Sequence, residues 1–160
     1  MTNPKIVPLE DLPARIKQLR AAKKKIVATN GCFDLLHVGH VRYLNSARAL
    51  GDLLIVGLNG DDSVRKLKGP GRPLNSEKDR AEVLAALEAV DLVAIFPEQR
   101  ATRFIQLAAP DVYVKGGDYK TDTLNAEERQ ILEKLGSKID IVAFEKGYST
   151  SSLLKKLQKE

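Results

Sequence analysis

Residues 26–40 read I-V-A-T-N-G-C-F-D-L-L-H-V-G-H, and the rest of the chain falls into place around them. Ile26-Val27-Ala28 is an apolar run, and Ile26 to Thr29 reads as a short buried strand. Gly31 then lets backbone approach a ligand, and a segment of helical periodicity opens near Val38. A strand, a glycine-containing loop and a helix amino end together form the usual cradle for phosphate. His37 and His40, the only histidines of the chain, stand at the mouth of that helix. Two imidazoles added to such a cradle point to a phosphate undergoing reaction.

The same alternation continues outward. Upstream, Leu9, Leu12, Ile16 and Leu19 keep helical spacing, and Lys23-Lys24-Lys25 links that helix to the strand. Downstream, the periodicity predicts a helix to about Leu50 with Val41, Leu44 and Ala47 buried, and Gly51 as its carboxyl cap. Further strands are predicted at residues 53–58, 92–96, 112–114 and 139–143, and helices at 62–67, 76–89, 100–108, 125–135 and 151–158. Strands alternating with helices argue for one Rossmann-like α/β domain over residues 1–160: a doubly wound, five-stranded parallel sheet with helices on both faces. Residues 1–24 form an amino-terminal helix and basic connector, and 25–160 the catalytic core. Ligands of such sheets bind beyond the carboxyl ends of the strands. The chemically loaded loops, 29–40, 59–73, 115–119 and 147–152, all fall there. The segment Lys68-Gly69-Pro70-Gly71-Arg72-Pro73 is expected to be a mobile surface loop.

At 160 residues, with 43% hydrophobic and 29% charged residues, the composition is that of a soluble globular protein with a real core. The net charge of +5 suits a lysine-rich surface or a polyanion site. With no Trp and few other aromatics, the interleaved surface that single-strand nucleic-acid binders use is missing, so nucleic acid is not an expected partner. Cys32 is alone, which excludes an internal disulfide and a cysteine metal cluster. Neither a membrane span nor a signal-peptide core is visible, so the expected compartment is the cytoplasm.

His37 and His40 lie one helical turn apart, on one face. Zinc would need a third ligand, and Cys32 is on the strand side of the loop. Buried structural histidines are the plain alternative. Gly39 is costly inside a helix, so something requires its missing side chain. The preferred reading is two imidazoles donating hydrogen bonds to a phosphate whose charge grows during reaction.

The segment G-C-F-D-L-L-H-V-G-H resembles the H-x-G-H signature of the nucleotidyltransferase superfamily, in its cytidylyltransferase-like branch. G-Y-S-T-S-S-L-L, from Gly147, resembles the second signature of that superfamily, with S-T-S-S where S-T-T is more usual. R-P-L-N-S-E-K-D-R at 72–80 and V-K-G-G-D-Y at 114–119 are most similar to the adenylyltransferase half of ADP-heptose synthases. The likeness spans about residues 24 to 158. It implies transfer of AMP from ATP to D-glycero-D-manno-heptose 1-phosphate with release of pyrophosphate, for lipopolysaccharide core or S-layer glycan precursors. It also implies Mg2+ carried with ATP, no metal site built from protein ligands alone, a homodimer, and a sugar kinase that is fused or separate.

The resemblance further implies roles. His37, His40, Lys66, Lys68 and Arg80 would act on the triphosphate, with Arg80 gripping it. Thr29, Asn30, Gly31, Phe33 and Gly39 would surround the nucleotide, while Asp34 holds the loop or helps place a metal. Lys115, Gly116 and Asp118 would also meet the nucleotide, as would Tyr148, Ser149, Thr150 and Ser151. Arg72, Gly117 and Tyr119 would face the sugar phosphate. Rival acceptors are glycerol 3-phosphate or ethanolamine phosphate with CTP, and FMN with ATP. A nucleotide-binding module without catalysis is the non-enzyme alternative.

Overall fold

The computed structural model describes residues 3–117, 124–143 and 146–159. Five strands form one all-parallel sheet in the order β3-β2-β1-β4-β5: β1 Ile26–Gly31, β2 Leu53–Asn59, β3 Leu92–Phe96, β4 Val112–Gly116 and β5 Lys138–Val142. The chain walks outward from β1 to β3, crosses back to the far side of β1, and continues to β5. The helices are α1 Leu12–Ala21, α2 Val38–Arg48, α3 Asp61–Lys68, α4 Glu77–Ala85, α5 Thr102–Ala108, α6 Ala126–Leu135 and α7 Thr150–Leu157. The Rossmann-like α/β class expected from the sequence is therefore the observed one.

Side-chain alternation along the strands divides the core into two layers. Ala28, Ile55, Ala94 and Tyr113 face Leu12 and Ile16 of α1, Phe104 and Ile105 of α5, and Leu132 of α6. Val27, Val56, Val93 and Val114 face Tyr43, Leu44 and Ala47 of α2 and Ala81 and Leu84 of α4. Every residue of β2 is buried, because helices cover both of its faces. The amino-terminal helix is thus part of the core layer. Residues 5–7 lie along the outer edge of β3, with Val7 N–H donating to Val93 O at 2.9 Å and Val93 N–H to Lys5 O at 2.8 Å. That pairing covers an edge strand that would otherwise offer open hydrogen-bonding groups.

Several boundaries differ from expectation. The buried stripe of α2 is Gly39, Tyr43, Leu44 and Ala47, and Val41 is 37% exposed. Gly39, Tyr43 and Ala47 follow an i, i+4, i+8 register that leaves Val41, two positions from both Gly39 and Tyr43, on another face, and Tyr43 turns inward because its hydroxyl has buried partners. Gly51 does not cap α2 in a left-handed conformation. A Cβ there would meet Val27 Cγ2 at 2.6 Å and Lys25 O at 2.8 Å, so the glycine serves close approach of the turn to β1. The helix expected to reach residue 89 ends at Ala85. The Arg72 end of the expected mobile loop is fastened to the β1 loop, as described next.

Candidate active site

The cleft lies over the carboxyl ends of the strands, where the order of strand addition reverses between β1 and β4. This is the switch point at which open α/β sheets bind ligands. It encloses about 630 Å³. Of the expected residues, Asn30, Gly31, Phe33, Asp34, His40, Lys68, Arg72, Lys115, Gly116, Thr150 and Ser151 line it.

The histidines are fixed by the backbone of their own helix. His37 is the N-cap of α2, and its Nδ1 accepts from Gly39 N–H at 3.1 Å. His40 Nδ1 accepts from His37 N–H at 3.3 Å. Each ring thereby satisfies an amide that a helix start leaves open. With Nδ1 accepting, the proton of each neutral ring sits on Nε2. The ring centroids are 3.9 Å apart, and His40 also packs against Phe33. Burial lowers the pKa of both rings; for His40, with His37 adding to the effect, it falls to about 4. Both are therefore neutral donors at neutral pH. The reason for Gly39 is now visible: a Cβ there would lie 2.9 Å from the His37 ring and 3.0 Å from Tyr148 Cβ.

Asp34 is buried and fastens the loop before α4. Its carboxylate accepts from Arg72 Nε at 2.7 Å and from the N–H groups of Leu74 and Asn75. Burial works to raise its pKa, but the Asn75 and Leu74 amides and the Arg72 guanidinium outweigh it, leaving the carboxyl below its usual range. Of its two expected roles, holding the loop is the one its contacts serve. Among the described residues, no group of three or more His, Cys, Asp or Glu is placed to hold a metal ion.

Arg80, expected to grip the triphosphate, is not in the cleft. Its side chain is 1% exposed beneath the loops and donates to Asn75 O, Cys32 O, Asn59 O and Asp61 Oδ1. It ties the β1 loop, the end of β2 and the start of α4 into one body. Thr29 is likewise buried, its hydroxyl bonded to Tyr43 Oη and Val114 O, so it braces the cleft floor rather than a nucleotide. Burial pushes the Tyr43 phenol up to about 12, so it stays protonated, although its bond to Thr29 works the other way.

Lys66 is exposed and lies off the cleft lining, whereas Lys68, two residues on at the end of α3, lines it. Ser149 is the N-cap of α7, its Oγ accepting from Ser152 N–H at 3.0 Å. Thr150 Oγ1 donates to Leu35 O at 3.3 Å, which brings the start of α7 to the histidine loop. Tyr148 is exposed, 5.6 Å from the Arg42 guanidinium. Gly117 has φ 89° and donates to Val142 O. Asp118 and Tyr119 lie outside the described residues.

The sequence reading missed Cys32, Tyr43, Asn59, Leu67, Gln99, Arg100, Leu124, Asn125 and Glu128, which also line the cleft. Glu128 had no local signal, because a glutamate on a polar helix reads as solvated.

Fold and site together define a phosphate-handling α/β protein with paired neutral imidazoles at a helix start. Residues 28–156 match the cytidylyltransferase-like family, and the chain belongs to that family. It is 49% identical over 154 residues to the bifunctional protein HldE of Geotalea uraniireducens, covering 96% of this chain and 31% of the relative. It is 49% identical over 158 residues to the protein of the same name from Helicobacter pylori strain J99, covering 99% of this chain and 32% of the relative. The chain thus spans about a third of the length of these relatives. A lipopolysaccharide core biosynthesis protein of Thermoplasma volcanium superposes with a TM-score of 0.64 at 28% identity, over 79% of this chain and 99% of that one. Pantoate-beta-alanine ligase of Francisella tularensis shares the fold, with a TM-score of 0.59 at 14% identity over 91% of this chain and 68% of that one.

Proposed function

We propose that this chain transfers AMP from ATP to D-glycero-D-manno-heptose 1-phosphate, forming ADP-heptose and pyrophosphate. The observation that carries the transferase reading is the histidine pair, with both Nδ1 atoms occupied by backbone amides and both protons left on Nε2. Family membership agrees with it. The acceptor follows from the likeness of segments 72–80 and 114–119 to ADP-heptose synthases, and the HldE relatives and the Thermoplasma protein support a sugar-nucleotide precursor.

The chemistry needs no strong base, because the sugar 1-phosphate already carries an anionic oxygen. That oxygen attacks the α-phosphorus, the bond to the β-phosphate oxygen breaks, and pyrophosphate leaves. The protein has to bring two polyanions together and offset their repulsion. His37 and His40 supply neutral donors, which hold charge as it builds on the α-phosphate without themselves changing protonation. The start of α7, with Thr150 and Ser151, is held at the histidine loop by the Thr150–Leu35 bond, and Lys68 lines the same cleft. Arg72 is shared with Asp34 and keeps the loop before α4 against the site. Magnesium carried on the triphosphate would offset the charge of the leaving group, and the described residues would meet it through the nucleotide rather than through a cluster of their own. A kinase making the sugar 1-phosphate is the implied companion, in the same polypeptide or separate.

The test is pyrophosphate release by the full chain with ATP or CTP against heptose 1-phosphate, glycerol 3-phosphate and FMN. The proposal expects turnover with ATP and heptose 1-phosphate alone. A preference for CTP, or for another acceptor, overturns the substrate assignment while leaving the transferase class in place.

A further inference from the structure

Glu128 is a buried carboxylate on α6, a helix whose neighbouring acids Glu127 and Glu133 are exposed. A buried carboxylate is costly unless paired. Its Oε1 accepts from Ala101 N–H at 3.1 Å, which anchors it to the residue preceding α5. Its Oε2 lies 3.8 Å from Lys115 Nζ, an ion-pair distance too long for a hydrogen bond. Lys115 Nζ in turn donates to Asn30 Oδ1 at 2.9 Å, and that oxygen also accepts from Tyr113 Oη. Burial favours loss of the Lys115 proton, and Glu128 opposes this. Both members of the pair line the cleft.

Their position separates them from the histidines. Tyr113 packs in the layer of α1, α5 and α6, and Lys115, two residues on in β4, shares its side of the sheet. The histidines begin α2, whose buried residues pack in the opposite layer. The cleft thus has a histidine side and a Lys115 side, and Asn30, two residues on from Ala28 in β1, stands on the Lys115 side. A buried ion pair is seldom a gain in stability over an apolar pair of the same volume. What this one supplies is a charge held in place.

We propose that Glu128 is a positioning residue on the acceptor side: anchored at Ala101, it holds the Lys115 ammonium at Asn30, across the cleft from the histidines, where that ammonium receives the acceptor's phosphate. This rests on the transferase reading above. The ligand class it defines is a phosphate monoester delivered opposite the nucleotide, and Lys115, placed with the nucleotide from the sequence, moves to the acceptor.

The experiment is steady-state kinetics on the full chain with ATP and heptose 1-phosphate, for wild type, K115M, E128Q, K115M/E128Q and the apolar pair K115M/E128L, with Tm for each. K115M should raise the acceptor KM about tenfold or more while the ATP KM moves less than about twofold. E128Q should raise the same acceptor KM by about three- to tenfold, and add less than about twofold in the K115M background, because it acts through Lys115. Should E128Q not fold, K115M/E128L carries the test, and its acceptor KM should match that of K115M. An ATP KM that rises in step, an E128Q effect that persists without Lys115, or a change confined to Tm overturns the proposal. A wild-type chain that makes no pyrophosphate with any sugar phosphate overturns the transferase reading instead.

Discussion

Gly39 shows how tightly the site depends on single residues. Alanine is the better helix former by about 1 kcal/mol, yet its Cβ would lie 2.9 Å from the His37 ring. Gly39→Ala should therefore lower turnover at least about tenfold through a displaced donor, while Tm stays within a few degrees of wild type; unchanged turnover would show that the His37 ring position is not critical. His40 has a second consequence. Its folded pKa is about 4 against an ordinary value of 6.5, so between those limits the unfolded chain binds the proton that the folded chain refuses. Stability is then fully present above pH 6.5 and is lost as pH falls toward 4. Urea midpoints measured from pH 7.5 to 4 should show a loss that His40→Ala reduces. The histidines were legible in the sequence because they are the chain's only two and sit at a helix start. Thr29 and Arg80 were not. Both look like polar site residues, and only strand pairing and loops distant in sequence bury them.

At the scale of elements, the site is assembled by loops that hold one another. Asp34 of the β1 loop receives Arg72, Leu74 and Asn75, and Arg80 of α4 reaches back to Cys32, Asn59 and Asp61. Arg80→Met should cost about 3 kcal/mol, since it leaves buried carbonyls and Asp61 without their partner; a thermal melt within 1 °C of wild type would contradict this. Asp34→Asn should cost about 2 kcal/mol and raise the KM for the sugar phosphate by freeing the loop that carries Arg72, and kinetics beside a denaturant titration would show both. Helix starts at Ser76 and Asn125 were readable, because both act as N-caps, whereas the last helix, expected from Ser151, begins at Thr150 with Ser149 as its N-cap. Lengths were less so. β1 runs on past Thr29 through Asn30 and Gly31, which pair with Gly57 and Leu58, and no periodicity signals that Asn-Gly will pair.

For the molecule as a whole, alternation of strand and helix was enough to give a parallel doubly wound sheet, and the loaded loops were enough to say which edge carries the chemistry. Strand order was not legible. Which side of β1 receives β4 depends on how the two helical layers close, and that choice creates the switch point where Asn30 and Lys115 meet. The division of the cleft into a histidine side and a Lys115 side follows from it. No helix among the described residues is long and apolar enough to cross a membrane. The proposed reaction turns on the neutral imidazole of His40 holding the charge that builds on the α-phosphate. Its most direct test is the turnover of His40→Ala with ATP and heptose 1-phosphate, beside the ATP affinity of the same protein. Turnover should fall about a hundredfold or more, with ATP binding within about threefold of wild type. A loss of less than about tenfold, with binding intact, would rule out this role for His40.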